Sequence, residues 1–135
     1  MFLIDTDVLS ALRRRDRNPA IVRWIEDRRT ADLHISVVTV GEIERDITQQ
    51  QRHNPTFARD LAAWLDRVLG WYGDRILFVD VATARRWGQL SAALGNDSAD
   101  LLIAATALEH GLTVVTRNVR HFEATGVSVL DPSQR

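Results

Sequence analysis

The sequence predicts an α/β fold: one domain spanning residues 1–135, with a mainly parallel five-stranded sheet flanked by helices on both faces. Three observations predict it. Short apolar runs alternate with longer segments of helical periodicity along the whole chain. No Gly/Ser/Pro-rich linker, internal repeat or low-complexity tract divides it. At 135 residues it buries roughly two-thirds of the surface its unfolded form exposes, enough for a core without metal or disulfide support.

In chain order, Phe2-Leu3-Ile4 reads as a buried strand stopped at Asp5, and Val8 to Arg15 as a helix. Pro19 opens a second helix with Ile21, Val22, Trp24 and Ile25 as its apolar positions. Leu33 to Val37 is a second strand, and Thr39 to about Gln50 a helix ended by the polar stretch 49–54. Pro55 starts a long helix through Leu61, Trp64, Leu65, Val68 and Leu69, stopped near Gly70 and Gly73. Ile76 to Val79 is a third strand, and Thr83 to Leu94 a helix terminated by Gly95. Ser98 to His110 is a helix capped by Gly111, with Leu101, Leu102, Ala105 and Leu108 inward. Leu112 to Val115 and Val127 to Leu130 complete the sheet. The four tryptophans, Trp24, Trp64, Trp71 and Trp87, fall on apolar helix faces and read as core or interface packing.

Composition narrows the chemistry. Cysteine is absent, which removes disulfides, thiolate metal sites and cysteine nucleophiles. Lysine is also absent, so all 17 basic residues are arginine; Schiff bases and the phosphate-gripping lysine of a P-loop are excluded. A net charge of −1 argues against a broad electrostatic grip on nucleic acid. The opening MFLIDTDVLS lacks the charged start and long apolar stretch of a signal peptide, and no run approaches the roughly 20 apolar residues that span a bilayer. The expected location is the cytoplasm, with no membrane partner.

In parallel α/β sheets, ligands bind beyond the carboxyl ends of the strands. Those places carry oxygen side chains: Asp5 after the first strand, Glu42 one turn into the next helix, Asp97 and Asp100 at the start of a later helix, and Asn118 after the fourth strand. Convergence of such groups suits Mg²⁺ or Mn²⁺, hard cations that take carboxylate oxygens and keep several waters. Each also has a plain structural reading. Asp5 fits a helix N-cap, Thr39-x-x-Glu42 a capping box and Asp97-x-x-Asp100 an acidic variant of one, while Asp7 and Glu44 fit ordinary polar positions.

The segments FLIDTDVLS, SVVTVGEIERD, DLLIAATALEHGLTVVTRNVRHF and VSVLDP, taken together and in order, resemble the PIN-domain family, specifically the VapC-type toxins of bacterial toxin–antitoxin pairs and their FitB-like branch. The resemblance covers nearly the whole chain. It implies a PIN-like domain, a Mg²⁺-dependent endoribonuclease (Mn²⁺ as substitute) acting on tRNA or rRNA, a cognate VapB-type antitoxin, and a homodimer. The family's acidic positions fall on Asp5, Glu42 and Asp100; its fourth falls on Asn118, a neutral amide that puts a second metal in question. Thr6 and Thr116 match hydroxyl positions that line the site. Asp5 and Asp100 are the expected metal ligands. Arg117 is read either as a contact to the RNA phosphate or as a surface or antitoxin-facing residue.

With those roles the expected reaction is attack of a metal-activated water on a phosphodiester, leaving a 5′-phosphate and a 3′-hydroxyl. His34, His53, His110 and His121 are scattered and read as structural or surface residues. The DTDVL opening also resembles haloacid-dehalogenase phosphatases, and the size suits a response-regulator receiver. The first needs a further basic residue, usually lysine, and a late acidic pair, and the second a lysine near its last strand; lysine is absent and Thr116-Arg117-Asn118 is not an acidic pair. A PIN module that binds RNA or a partner and cleaves slowly or not at all is the remaining alternative.

Overall fold

The computed structural model describes residues 1–134. Five parallel strands, β1 (Phe2–Ile4), β2 (Leu33–Ser36), β3 (Ile76–Leu77), β4 (Thr113–Val115) and β5 (Val129–Leu130), lie in the order β3-β2-β1-β4-β5. Every pairing is parallel, with Leu3 opposite both His34 and Val114. Strand order therefore runs one way from β1 through β2 to β3 and the other way through β4 to β5. The reversal falls between β1 and β4, the crevice where such sheets bind ligands.

Parallel strands carry helices on both faces, so their side chains are buried on both. Leu3 and Val114 point into one core with Ile103, Ala104, Ala107 and Phe122. Ile4, Ile35 and Val115 point into the other with Val8, Ile43, Leu61 and Val68. The period-2 alternation of single residues within FLI and TVV thus assigns each to one core or the other.

Among the described residues, seven α-helices cover the sheet: α1 (Thr6–Ala11), α2 (Pro19–Glu26), α3 (Val37–His53), α4 (Pro55–Tyr72), α5 (Val81–Leu94), α6 (Ala99–His110) and α7 (Arg120–Glu123). α3 and α4 fold back on one another across Asn54, whose side chain accepts from the Phe57 N–H ahead of a first-turn proline. α6 is apolar on nearly all sides, with Leu101 and Ile103 to Ala107 buried, and its small alanines let it lie close to the sheet and to α5. Gly95 and Gly111 end α5 and α6 in the left-handed conformation, at φ 74° and 65°.

Several elements differ from the sequence expectation. The first helix stops at Ala11, and Leu12–Arg17 form a tighter 3-10 turn with a kink at Arg14 (φ −121°, ψ 67°). The Asn18 amide causes the break locally: it donates to the carbonyls of Ala11 (3.1 Å) and Arg14 (3.0 Å), replacing helical partners. The third helix begins at Val37, because Ser36 is its cap and accepts from the Val38 N–H at 3.0 Å. Thr39 and Glu42 therefore lie inside the helix and form no capping box. β3 and β5 are each two residues long, shorter than the four-residue runs expected. α7 was not expected, being a single turn with only Phe122 buried.

Trp64 is buried, and Trp24 packs edge-on against Phe2, with centroids 4.9 Å apart. Trp71 departs from the apolar-face reading and is 62% exposed. Among the described residues, no helix is long and apolar enough to cross a membrane.

Candidate active site

Asp5 follows the central strand at the topological switch point. Its backbone N–H completes the β1–β4 ladder to the Val115 carbonyl (3.0 Å), which fixes the residue to the sheet edge. Its side chain then caps α1, Oδ1 accepting from the Thr6 N–H at 2.9 Å. Oδ2 accepts from the Thr116 hydroxyl at 2.8 Å, across the crevice from the end of β4. The cap reading and the site reading of Asp5 are thus both true of one side chain.

The carboxyl is only 4% exposed. Burial pushes its pKa up to about 6, and the negative charges of Asp100 and Asp7 push the same way, against the two hydrogen bonds. No arginine is paired with Asp5 among the described residues. A buried carboxylate facing further carboxylates is an arrangement that a cation relieves.

Thr6 and Glu42 form the second part. The Thr6 hydroxyl donates to Glu42 Oε1 at 2.6 Å. It has one proton, so at its 2.9 Å contact with Thr39 Oγ1 it accepts from the Thr39 hydroxyl. Glu42 reaches this edge because Ser36 starts α3 immediately after β2, placing position 42 in the second turn. Thr39, fully buried one turn earlier, is a site residue the sequence reading took only as a cap.

On the other side, Thr116 accepts from the Asn118 N–H (3.0 Å) while donating to Asp5, which ties the β4 loop to the acid. Arg117 grips Asp7 through both fork nitrogens, at 2.9 and 2.7 Å, and Asn18 at 3.3 Å. The pair holds the β4 loop against α1, so Asp7, expected to be an ordinary polar position, makes a long-range ion pair. Asp100 accepts from His121 Nδ1–H at 3.0 Å. His121, expected to be a structural or surface residue, is exposed and makes this contact from one short turn beyond Asn118. Asp97 is exposed and caps nothing, since Asn96 Oδ1 takes the Ser98 N–H at 3.2 Å.

The donor set is one of hard oxygens: Asp5, Asp100 and Glu42, with the hydroxyls of Thr6, Thr39 and Thr116 hydrogen-bonded among them. Among the described residues, no three acidic or imidazole side chains close a metal cage by themselves. Two carboxylates with neutral oxygens around them fit an ion that keeps most of its ligands as water, which is the habit of Mg²⁺. They do not fit zinc, which takes nitrogen and sulfur in a closed tetrahedron at structural sites.

The PIN domain family matches residues 2–127, and the chain belongs to that family. It is 32% identical over 139 residues to the plasmid stability protein StbB of Pseudomonas syringae pathovar tomato, across 98% of both chains. It is 30% identical over 139 residues to the VapC ribonuclease Y4jK of Sinorhizobium fredii, across 98% of this chain and 97% of that one. It is 31% identical over 141 residues to the toxin FitB of Neisseria gonorrhoeae, across 98% of both. The crystal structure of FitAcB from the same organism superposes with a TM-score of 0.85, at 32% identity over 98% of each chain.

Proposed function

We propose that this chain is the toxin of a type II toxin–antitoxin pair and acts as a divalent-metal-dependent endoribonuclease. The observation that carries the reading is Asp5, a buried carboxylate at the switch point with no cationic partner among the described residues and within range of the Asp100 charge. The names of the relatives, a ribonuclease and a toxin among them, support it.

Asp5 and Asp100 are the residues that would hold Mg²⁺ or Mn²⁺. Such an ion, when bound, polarises a phosphodiester oxygen and brings the pKa of a bound water near neutrality. Thr6 holds Glu42 in place by donating to it, so that Glu42 orients the attacking water and accepts its proton. Thr116 locks the Asp5 carboxylate in one rotamer, and Asn118 offers a neutral amide to a water or phosphate oxygen. The water oxygen bonds to phosphorus and the P–O3′ bond breaks, leaving a 5′-phosphate and a 3′-hydroxyl. Arg117, held by Asp7, acts on the loop and not on the phosphate.

The antitoxin's place is a groove of about 650 Å³ between α1, α2 and α4, floored by Leu9, Ile25 and Val68 and rimmed by Arg13, Arg28 and Arg67. An amphipathic acidic segment complements both features.

Labelled RNA digested with Mg²⁺ or Mn²⁺ should give 5′-phosphate and 3′-hydroxyl ends, with no cleavage in EDTA. A 2′,3′-cyclic phosphate end, or full activity in EDTA, overturns the mechanism. The neutral Asn118 favours one second reading, a PIN module that binds and does not cut. It predicts no heat of divalent-ion binding in calorimetry, where the nuclease reading predicts a measurable one.

A further inference from the structure

Asp100 borders a second cavity. A cleft of about 410 Å³ lies between the α5–α6 loop and α7, with Asn96, Ser98 and Asp100 on one side, Arg120 and His121 on the other, and Leu94, Leu101 and Ala124 supplying an apolar part of its lining. Because Asp100 belongs to both, a chain crossing the acidic edge can run directly into this cleft.

The charges in the cleft are differently committed. Asp100 is held by His121 on its outer side. Arg120 is exposed and makes no ion pair among the described residues. That sets it apart from the other arginines with defined contacts. Arg15, Arg29, Arg86 and Arg117 each face a carboxylate. Arg13 and Arg28 lie over aromatic rings, and Arg75 donates to the carbonyls of Thr30, Leu33 and Trp71. Arg120 is the guanidinium that lines one cleft with Asp100, and there it is left without a carboxylate partner among the described residues. Around it stand neutral donors. The Ser98 hydroxyl makes no bond to its own helix, and Asn96 uses only its oxygen internally, leaving its two amide N–H donors. A guanidinium with hydroxyl and amide donors suits a phosphodiester oxygen.

We propose that this cleft receives the RNA backbone on one side of the cut, Arg120 contacting the phosphate next to the scissile one. The proposal rests on the reading of the Asp5–Asp100 edge as an RNA-cutting site. Arg120 makes no bond to a site carboxylate, so replacing it tests the cleft without disturbing the acids.

The test uses full-length protein and a short fluorescein-labelled pool of random-sequence single-stranded RNA. Binding is measured against salt in an Asp5→Asn background, and cleavage with Mn²⁺ in the otherwise native chain. Arg120→Ala should raise Kd about tenfold. It should also lower the salt slope by about 0.7, the loss of one phosphate contact on a single strand. Arg120→Lys should restore the slope, since the charge returns. Cleavage by Arg120→Ala at subsaturating protein should fall about tenfold, in step with the rise in Kd. The control is Arg85→Ala, on α5 near the Arg86–Glu109 pair, close to the opposite end of α6 from Asp100. It should leave Kd and slope unchanged. An Arg120→Ala variant indistinguishable from Arg85→Ala overturns the cleft proposal while leaving the nuclease reading intact. Native protein that neither binds nor cuts the pool with Mn²⁺ overturns both.

Discussion

Asp5 joins local structure to chemistry, and the two make opposite demands on it. Its ionised form is what a metal needs, yet burial beside Asp100 holds the carboxyl at about 6 against an ordinary 3.8. An acid whose pKa rises on folding binds its proton more tightly in the folded state. Metal-free stability therefore falls as pH climbs from about 4 to 6, and the loss is complete above that, on the order of 2–3 kcal/mol. Asp5→Asn removes the charge and keeps an oxygen for the Thr6 N–H. In EDTA the variant should melt above the native chain at pH 7.5, with the difference shrinking toward pH 4.5, and it should not cleave RNA. Mg²⁺ should raise the melting temperature of the native chain and not that of the variant. A native chain that outlasts Asp5→Asn in EDTA at pH 7.5 contradicts this account of the site.

At the scale of elements, the β4 loop and the start of the chain are clamped together by Arg117. Its two hydrogen bonds to Asp7 close a contact 110 residues apart in sequence, and its third reaches Asn18, whose amide breaks the first helix. The ion pair is partly exposed, with side chains 38% and 29% accessible, so its own contribution is at most about 1 kcal/mol. Arg117→Met should shift melting by only a few degrees and slow cleavage at saturating RNA, because Thr116 and Asn118 lose a restraint, while Kd and its salt slope hold. A fall in salt slope like that expected for Arg120→Ala would return Arg117 to the phosphate. Element types were legible from periodicity, proline and glycine: Pro19 and Pro55 start helices, Gly95 and Gly111 end them. The misread boundaries share a cause. Caps at Ser36 and Asn18 are side-chain choices, and a Thr39-x-x-Glu42 spacing looks the same whether it begins a helix or lies in its second turn.

Across the whole molecule, the acidic edge and the arginine-rimmed groove are separate surfaces, and they divide the proposed activities between them. Trp71 lines the groove and is 62% exposed, the profile of an aromatic anchor awaiting a partner. Trp71→Asp should weaken neutralisation by the cognate antitoxin at least tenfold, read by titrating antitoxin against RNA cleavage, and leave cleavage alone unchanged. Equal neutralisation of both proteins would place the antitoxin elsewhere. The sequence by itself determined the alternation that makes a parallel sheet, the absence of thiol and amine chemistry, and the oxygen-bearing residue types at strand ends. Those are properties of composition and period, and each is carried by a short stretch of chain. Only the tertiary structure decided that order reverses between β1 and β4, bringing Thr116 onto Asp5 and Asp100 within range of its charge. It also decided that Arg117 closes on Asp7 and that His121 holds Asp100. Such pairings depend on which distant segments become neighbours, and no local pattern of residues encodes that.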